Sequence, residues 1–386
     1  MWGKVLNFVF KISPNIVLGT YATARLGQNV REWGSRFMLI LDPVLKDFDV
    51  ADKIQKSLND RKIDFFVFDN LLSGLDTEIC DQALKLARES HVHGIICAGG
   101  TRSANIARAV SALYNEPHDI YDFVDGAVPT TASLPLIVIP TTMRDAFLFT
   151  DRTPLVDARS RQVKLLKVQS GQCKLAIFDP NLSVSLTENQ VASMSLQTLC
   201  IAIEAYISQK ANFFSDTILE KAVELLAGGM TGGKAGNSAT PAEVLLAQGG
   251  CMTSLGAAVS SLGPASLLSL TINGRFDINR SLTTSILLPY FIEEASKYRT
   301  EKLAKVAQIM QISTTGTASD AAVTALVDFM RNRLAMANLP ARLKDLGISI
   351  EDLALAADDC ATLELMHGLP RSMTTEDLFD LIKQAY

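Results

Sequence analysis

Ala98-Gly99-Gly100-Thr101-Arg102-Ser103 is the stretch of this chain best suited to meet a charged ligand. It ends an apolar run, Gly94–Gly100, and opens a segment with helical spacing at Asn105-Ile106-Ala107-Arg108. Glycines let backbone amides approach a pyrophosphate, and the positive end of a helix attracts its charge. Thr101 would be among the first residues there. Asp42 closes an earlier apolar run, Phe37–Asp42, where an acid can accept hydrogen bonds from a ribose. Pro140-Thr141-Thr142 ends a third run and adds two hydroxyls. Each feature has a plainer alternative. The glycines suit a tight strand-to-helix turn that binds nothing, and Asp42-Pro43 is a common turn starter. Nucleophilic catalysis finds no footing: the chain has neither a GxSxG elbow nor a cysteine with a plausible histidine partner.

These residues need a scaffold that ends strands where ligands bind. Phe37–Asp42, Phe65–Asp69, Gly94–Gly100, Leu134–Thr142 and Lys174–Pro180 are continuous apolar runs, as expected of strands buried on both faces. Val50–Lys62, Glu78–Ser90 and Ser103–Tyr114 carry helical spacing between them. Strand–helix alternation predicts an open α/β sheet with ligands at the carboxyl ends of its strands. From about Leu182 strand signals stop and helix starts multiply, at Thr187-Glu188-Asn189-Gln190, Thr240-Pro241-Ala242-Glu243, Ser349-Ile350-Glu351-Asp352 and Thr374-Thr375-Glu376-Asp377. The expected organisation is an α/β nucleotide-binding domain over residues 1–180 and an all-α domain over 181–386. Gly228–Ser238 interrupts the helical pattern with glycines too costly for a helix interior, and reads as a connector or a mobile loop over a site.

The 386 residues carry a net charge of −5 and are 48% hydrophobic, enough for large cores and without the basic excess that nucleic-acid binding needs. The six cysteines (80, 97, 173, 200, 251 and 360) form no CxxC and fit neither a zinc site nor a disulfide framework, which suggests reduced thiols in a cytoplasmic protein. No apolar run reaches the roughly 20 residues of a membrane helix. Val5–Phe10, between Lys4 and Lys11, reads as part of the fold and not as a signal peptide. His91 and His93 flank a strand start and read as surface residues.

The order of these motifs resembles the iron-containing alcohol dehydrogenase superfamily, of dehydroquinate synthase-like fold, along nearly the whole chain. The glycine turn stands in the place of GGGSxxDxAK, and Pro140-Thr141-Thr142 in that of PTTAGTGSE. Asp179-Pro180 matches the DP before the helical domain, and Ile203-Glu204-Ala205-Tyr206 matches HAIEAY. Ile286-Leu287-Leu288-Pro289 matches AILLP, and Leu369-Pro370-Arg371 matches a C-terminal NPR. The resemblance implies an NAD- or NADP-linked oxidoreductase acting on a small alcohol or carbonyl compound, in a dimer or larger homo-oligomer. Asp42, Gly99, Gly100, Thr101, Thr141 and Thr142 would hold the cofactor. An acid at Asp42 repels a 2′-phosphate, which favours NAD.

The family binds iron or zinc through one Asp and three His, and the sequence departs there. The four positions are Gln197, Ile201, Ser266 and Arg280. A neutral carbonyl, a hydrocarbon, a hydroxyl and a permanent cation make a poor ligand set, so no metal is expected. Cys200 adjoins one position, but its offset points it off that face. Arg280 places a cation where the family has one, and guanidinium can polarise a carbonyl or clamp a carboxylate; an ion pair with Asp277 is its ordinary alternative. Arg144 could add a second positive group. Met143–Leu148 replaces small residues with large ones, and Asn105 and Arg108 replace the Asp and Lys after the turn. An opposing reading is a catalytically inactive pseudoenzyme, serving as a binding or regulatory partner in a hetero-oligomer with an active relative.

Overall fold

A computed structural model describes residues 14–232 and 240–386. Val5–Phe10 and the Gly233–Ser238 part of the glycine segment lie outside the described residues. The chain divides into two compact units, one of the described residues up to Thr187 and one from Glu188 onward, Leu246–Gln248 excepted.

In chain order the first unit contains β1 (Asn15–Leu18), α1 (Leu26–Asn29), β2 (Arg36–Leu41), α2 (Val50–Asn59), β3 (Asp64–Phe68), α3 (Asp76–Glu89), β4 (Gly94–Gly99), α4 (Thr101–Leu113), α5 (Ile120–Val124), β5 (Leu136–Pro140), β6 (Arg152–Val156), β7 (Val163–Lys167) and β8 (Cys173–Phe178). Six strands form a sheet in the order β1-β8-β5-β4-β2-β3, every pair parallel. All five expected strands are present, and β2 and β4 are buried almost throughout because helices cover both faces. Phe37, Leu39 and Leu41 of β2 share one core with Ile96, Ala98 and, from α2, Ile54 and Leu58.

From β2 the chain proceeds outward to β3, whereas from β4 it proceeds the opposite way to β5. The gap between the carboxyl ends of β2 and β4 is therefore the topological switch point, where open α/β sheets bind ligands. Asp42 follows one strand there and Gly99-Gly100 ends the other. Sequence reasoning missed β1, a four-residue edge strand, and the antiparallel β6–β7 hairpin.

The second unit is helical among its described residues: α6 (Glu188–Ile207), α7 (Phe213–Met230), α8 (Ala242–Ala258), α9 (Pro264–Phe276), α10 (Arg280–Ile309), α11 (Ser319–Met336), α12 (Ile350–Ala361) and α13 (Thr375–Ala385). Ser349 and Thr374 cap α12 and α13 as expected, each accepting from the amide three residues on. The start of α8 is corrected by one residue: Pro241 is the cap, not the first helical residue. Gly228 and Gly229, expected to break the helix, are buried in the last turn of α7.

Candidate functional site

At the switch point, backbone bonds first fix the strand ends. The Asp42 amide donates to Ala98 O (2.9 Å), and the Thr141 amide donates to Gly99 O (3.0 Å). The Asp42 carboxylate then reaches both sides. Oδ1 accepts from the Val44 amide (3.3 Å), while Oδ2 accepts from the Gly100 amide and the Ser103 hydroxyl, both at 3.4 Å. These bonds are long and weak, so the carboxylate can exchange them for a ligand hydroxyl at small cost.

Two glycines serve this site differently. A Cβ on Gly99 would lie 2.6 Å from Ser103 Oγ and 2.7 Å from Asp42 Cβ, so Gly99 is what lets Asp42 sit against the turn. A Cβ on Gly100 would meet nothing closer than 3.8 Å, at Asp42 Oδ2 and Thr142 Cγ2. Gly100 caps α4 in extended conformation (φ −82°, ψ −169°), and no side chain takes the first-turn amides. A 13-residue helix thus presents uncapped donors beside an open cradle, the arrangement a pyrophosphate fills. Asp42, Gly99, Gly100, Thr101, Thr141 and Thr142 all fall at these strand ends, and their donor chemistry fits a dinucleotide.

The neighbouring changes prove structural. Arg102 donates to Asp76 Oδ1 (2.8 Å) and Gly74 O (2.7 Å), and Asp76 Oδ2 accepts from the Val156 amide (3.0 Å). That arginine braces α4 against α3 and β6. Arg108 is fully buried and donates to the carbonyls of Thr150 and Arg152, while Asn105 accepts from the Thr153 hydroxyl. Burial pulls the Arg108 pKa down to about 10. Both residues anchor the hairpin that sequence reasoning missed. Met143, Ala146, Phe147 and Leu148 pack into the interior. Asp179 accepts from the amides of Tyr21 (3.0 Å), Thr23 (3.1 Å) and Asn181 (3.2 Å), tying the end of β8 to the turn after β1.

In the second unit, Gln197 and Ile201 are buried on α6, Ser266 is buried in the first turn of α9, and Arg280 is the half-buried first residue of α10. Gln197 Oε1 is buried without a hydrogen-bond partner. Among the described residues, no three His, Cys, Asp or Glu side chains gather to hold a metal ion. The donor set does not fit iron or zinc. Cys200 is corrected: its thiol faces Ser266 and Glu204, because an offset of three stays on a helix face as well as an offset of four. Burial pushes that thiol well up, against any nucleophilic role.

Glu204 has a task that sequence reasoning did not assign. Its Oε1 accepts from the amides of Ala265 (2.8 Å) and Ser266 (3.1 Å), capping α9 from outside. A Cβ on Gly263 would lie 2.6 Å from Glu204 Cγ, so a glycine is needed where the carboxylate enters. Burial pushes the Glu204 carboxyl up to about 7, although the α9 amides favour its charged form. Arg371 donates to Glu294 (2.8 Å) and Asp377 (3.1 Å), giving the Leu369-Pro370-Arg371 motif a structural role.

The family model described as iron-containing alcohol dehydrogenase matches residues 13–180, and that of the C-terminal part of the Fe-containing alcohol dehydrogenase family matches residues 191–386. Lactaldehyde reductase of Escherichia coli (strain K12) is 23% identical over 374 residues, spanning 95% of this chain and 97% of its own. NAD-dependent methanol dehydrogenase of Bacillus methanolicus is 21% identical, spanning 97% of this chain and 99% of its own. The crystal structure of a 1,3-propanediol oxidoreductase superposes with a TM-score of 0.89 over 98% of this chain and 100% of its own, at 21% identity.

Proposed function

Since the chain belongs to the iron-containing alcohol dehydrogenase family, we propose that it is an oxidoreductase of a small alcohol or carbonyl compound, linked to NAD and working without a metal. The observation that carries the reading is the uncapped start of α4 beside Asp42 at the switch point. The amides of Thr101, Arg102 and Ser103 would take the pyrophosphate, with Thr141 and Thr142 at its flank. Asp42 would accept from the ribose hydroxyls and repel a 2′-phosphate, favouring NAD over NADP. A bound nicotinamide supplies or receives hydride. Arg280 would polarise the substrate oxygen, a task that guanidinium performs through directed N–H donors. Assembly as a homo-oligomer belongs to the same proposal.

The poor ligand set favours one second reading, a protein that keeps the fold but serves as a binding or regulatory partner. Titration of purified, metal-analysed protein with NADH and NADPH separates the two. Saturable NADH binding, weaker NADPH binding and substoichiometric metal are expected. No binding at millimolar nucleotide overturns the oxidoreductase reading in favour of the second, and one metal ion per chain overturns the metal-free one.

A further inference from the structure

The sheet of the first unit carries a second polar cluster at its opposite end. Ser35, Ile63 and His93 immediately precede β2, β3 and β4. They line an open surface cavity of about 640 Å³ together with Arg31, Asp60, Arg61 and Lys62, and all of its polar side chains are exposed. A six-residue strand separates it from the glycine turn, roughly 20 Å at 3.3 Å per residue.

Three basic side chains, Arg31, Arg61 and Lys62, against one carboxylate reverse the sign of a chain whose net charge is −5. Among the described residues, no ion pair engages Arg31, Asp60, Arg61 or Lys62. The adjacent Arg36, by contrast, is paired with Asp64 at 2.9 Å. The carboxyl end of α2 accounts for cations at Arg61 and Lys62, which the helix dipole favours. It does not account for Arg31, which comes from another element.

The backbone around the cavity is specialised. Lys62 occupies a left-handed conformation (φ +55°) at the exit of α2, where the Ile63 amide reaches back to Leu58 O (3.1 Å). Glycine is the default residue in that position. The Ser35 amide donates to His93 Nδ1 (3.2 Å), leaving Nε2–H as the donor of the neutral ring. A Cβ on Gly34 would lie 2.5 Å from His93 Cβ, so a glycine is required to seat this histidine.

We propose that this cavity binds a small organic phosphate carrying two or more negative charges. Arginine forks and the lysine point charge match phosphate oxygens, His93 adds a ring N–H donor, and Asp60 accepts from a hydroxyl of the ligand. The volume exceeds what a lone phosphate needs.

Calorimetric titration at constant ionic strength tests this, with fructose 1,6-bisphosphate and inorganic pyrophosphate as probes. The full-length protein is compared with Arg31→Ala/Arg61→Ala, Lys62→Gly and Gly100→Asp. The bisphosphate is expected to bind in the submillimolar range and more tightly than pyrophosphate. The double variant should lose about tenfold or more in affinity while binding NADH as before. Lys62→Gly should weaken binding several-fold while raising the melting temperature, which separates loss of charge from loss of fold. Gly100→Asp should leave bisphosphate binding intact. No binding at millimolar bisphosphate overturns the proposal. So does binding that survives in the double variant and disappears in Gly100→Asp, since the phosphates then sit at the glycine turn. Pyrophosphate binding as tightly as the bisphosphate overturns the organic identity of the ligand.

Discussion

Asp42 and Gly100 sit within hydrogen-bond reach of each other, yet they should respond to substitution in opposite ways. Asp42→Ser removes a carboxylate whose bonds to Gly100 and Ser103 are 3.4 Å long, so stability should fall by no more than about 1 kcal/mol. The ratio of NADPH to NADH affinity should rise about tenfold, because the charge facing the 2′ position has gone. Fluorescence titration with both nucleotides reads this directly. Gly100→Asp places a good cap on α4 in a backbone conformation that aspartate adopts readily, in space that is open. The melting temperature should hold or rise slightly. Nucleotide affinity should fall at least about tenfold, since the new carboxylate occupies the pyrophosphate position. An unchanged NADH affinity in this variant would falsify the assignment of the glycine turn. These two residues were legible in the sequence because a strand end and a glycine turn are local signals. The duties of Arg102 and Arg108 were not, because their partners Asp76, Thr150 and Arg152 lie 26 to 44 residues away.

At the scale of elements, the second unit depends on one buried carboxylate. Glu204 holds the amino end of α9, and its pKa near 7 makes that hold pH-dependent. A folded pKa above the unfolded value of about 4.3 means that the folded state keeps a proton the unfolded chain has released. Stability therefore falls as pH rises from about 4.3 to 7 and levels off above that. Glu204→Gln keeps an acceptor for the α9 amides without the charge, and should flatten this stretch of the pH profile in urea unfolding. Glu204→Ala leaves two buried amides unsatisfied and should cost about 1–3 kcal/mol near pH 4, a cost that shrinks as pH rises toward 7. The long helices were legible because capping residues such as Ser349 and Thr374 announce them. The β6–β7 hairpin was not: its strands include Pro154 and three basic residues, Arg152, Lys164 and Lys167, which blur alternation. Tertiary anchors at Asn105 and Arg108 supply what the local pattern lacks.

Across the whole molecule, the order of sheet strands and the order of the chain disagree most at β1, whose Leu18 pairs with Phe178 at the far end of the first unit. Asp179 locks that pairing with three backbone donors, and it is buried. Asp179→Ala should destabilise the protein by about 2–4 kcal/mol, seen as a lower urea midpoint, because the amides of Tyr21 and Thr23 lose their acceptor. Sequence alone placed the DP motif correctly but gave it no work, since nothing local marks a partner about 160 residues upstream. The same stitch governs how the protein can be born. During synthesis at roughly 5–20 residues per second, β1 leaves the ribosome on the order of ten seconds or more before β8 exists to receive it. Its Asn-Ile-Val-Leu edge must wait unpaired while β2 to β5 assemble beside it, so the nascent chain is most exposed to misassociation in that interval, and the arrival of Asp179 ends it.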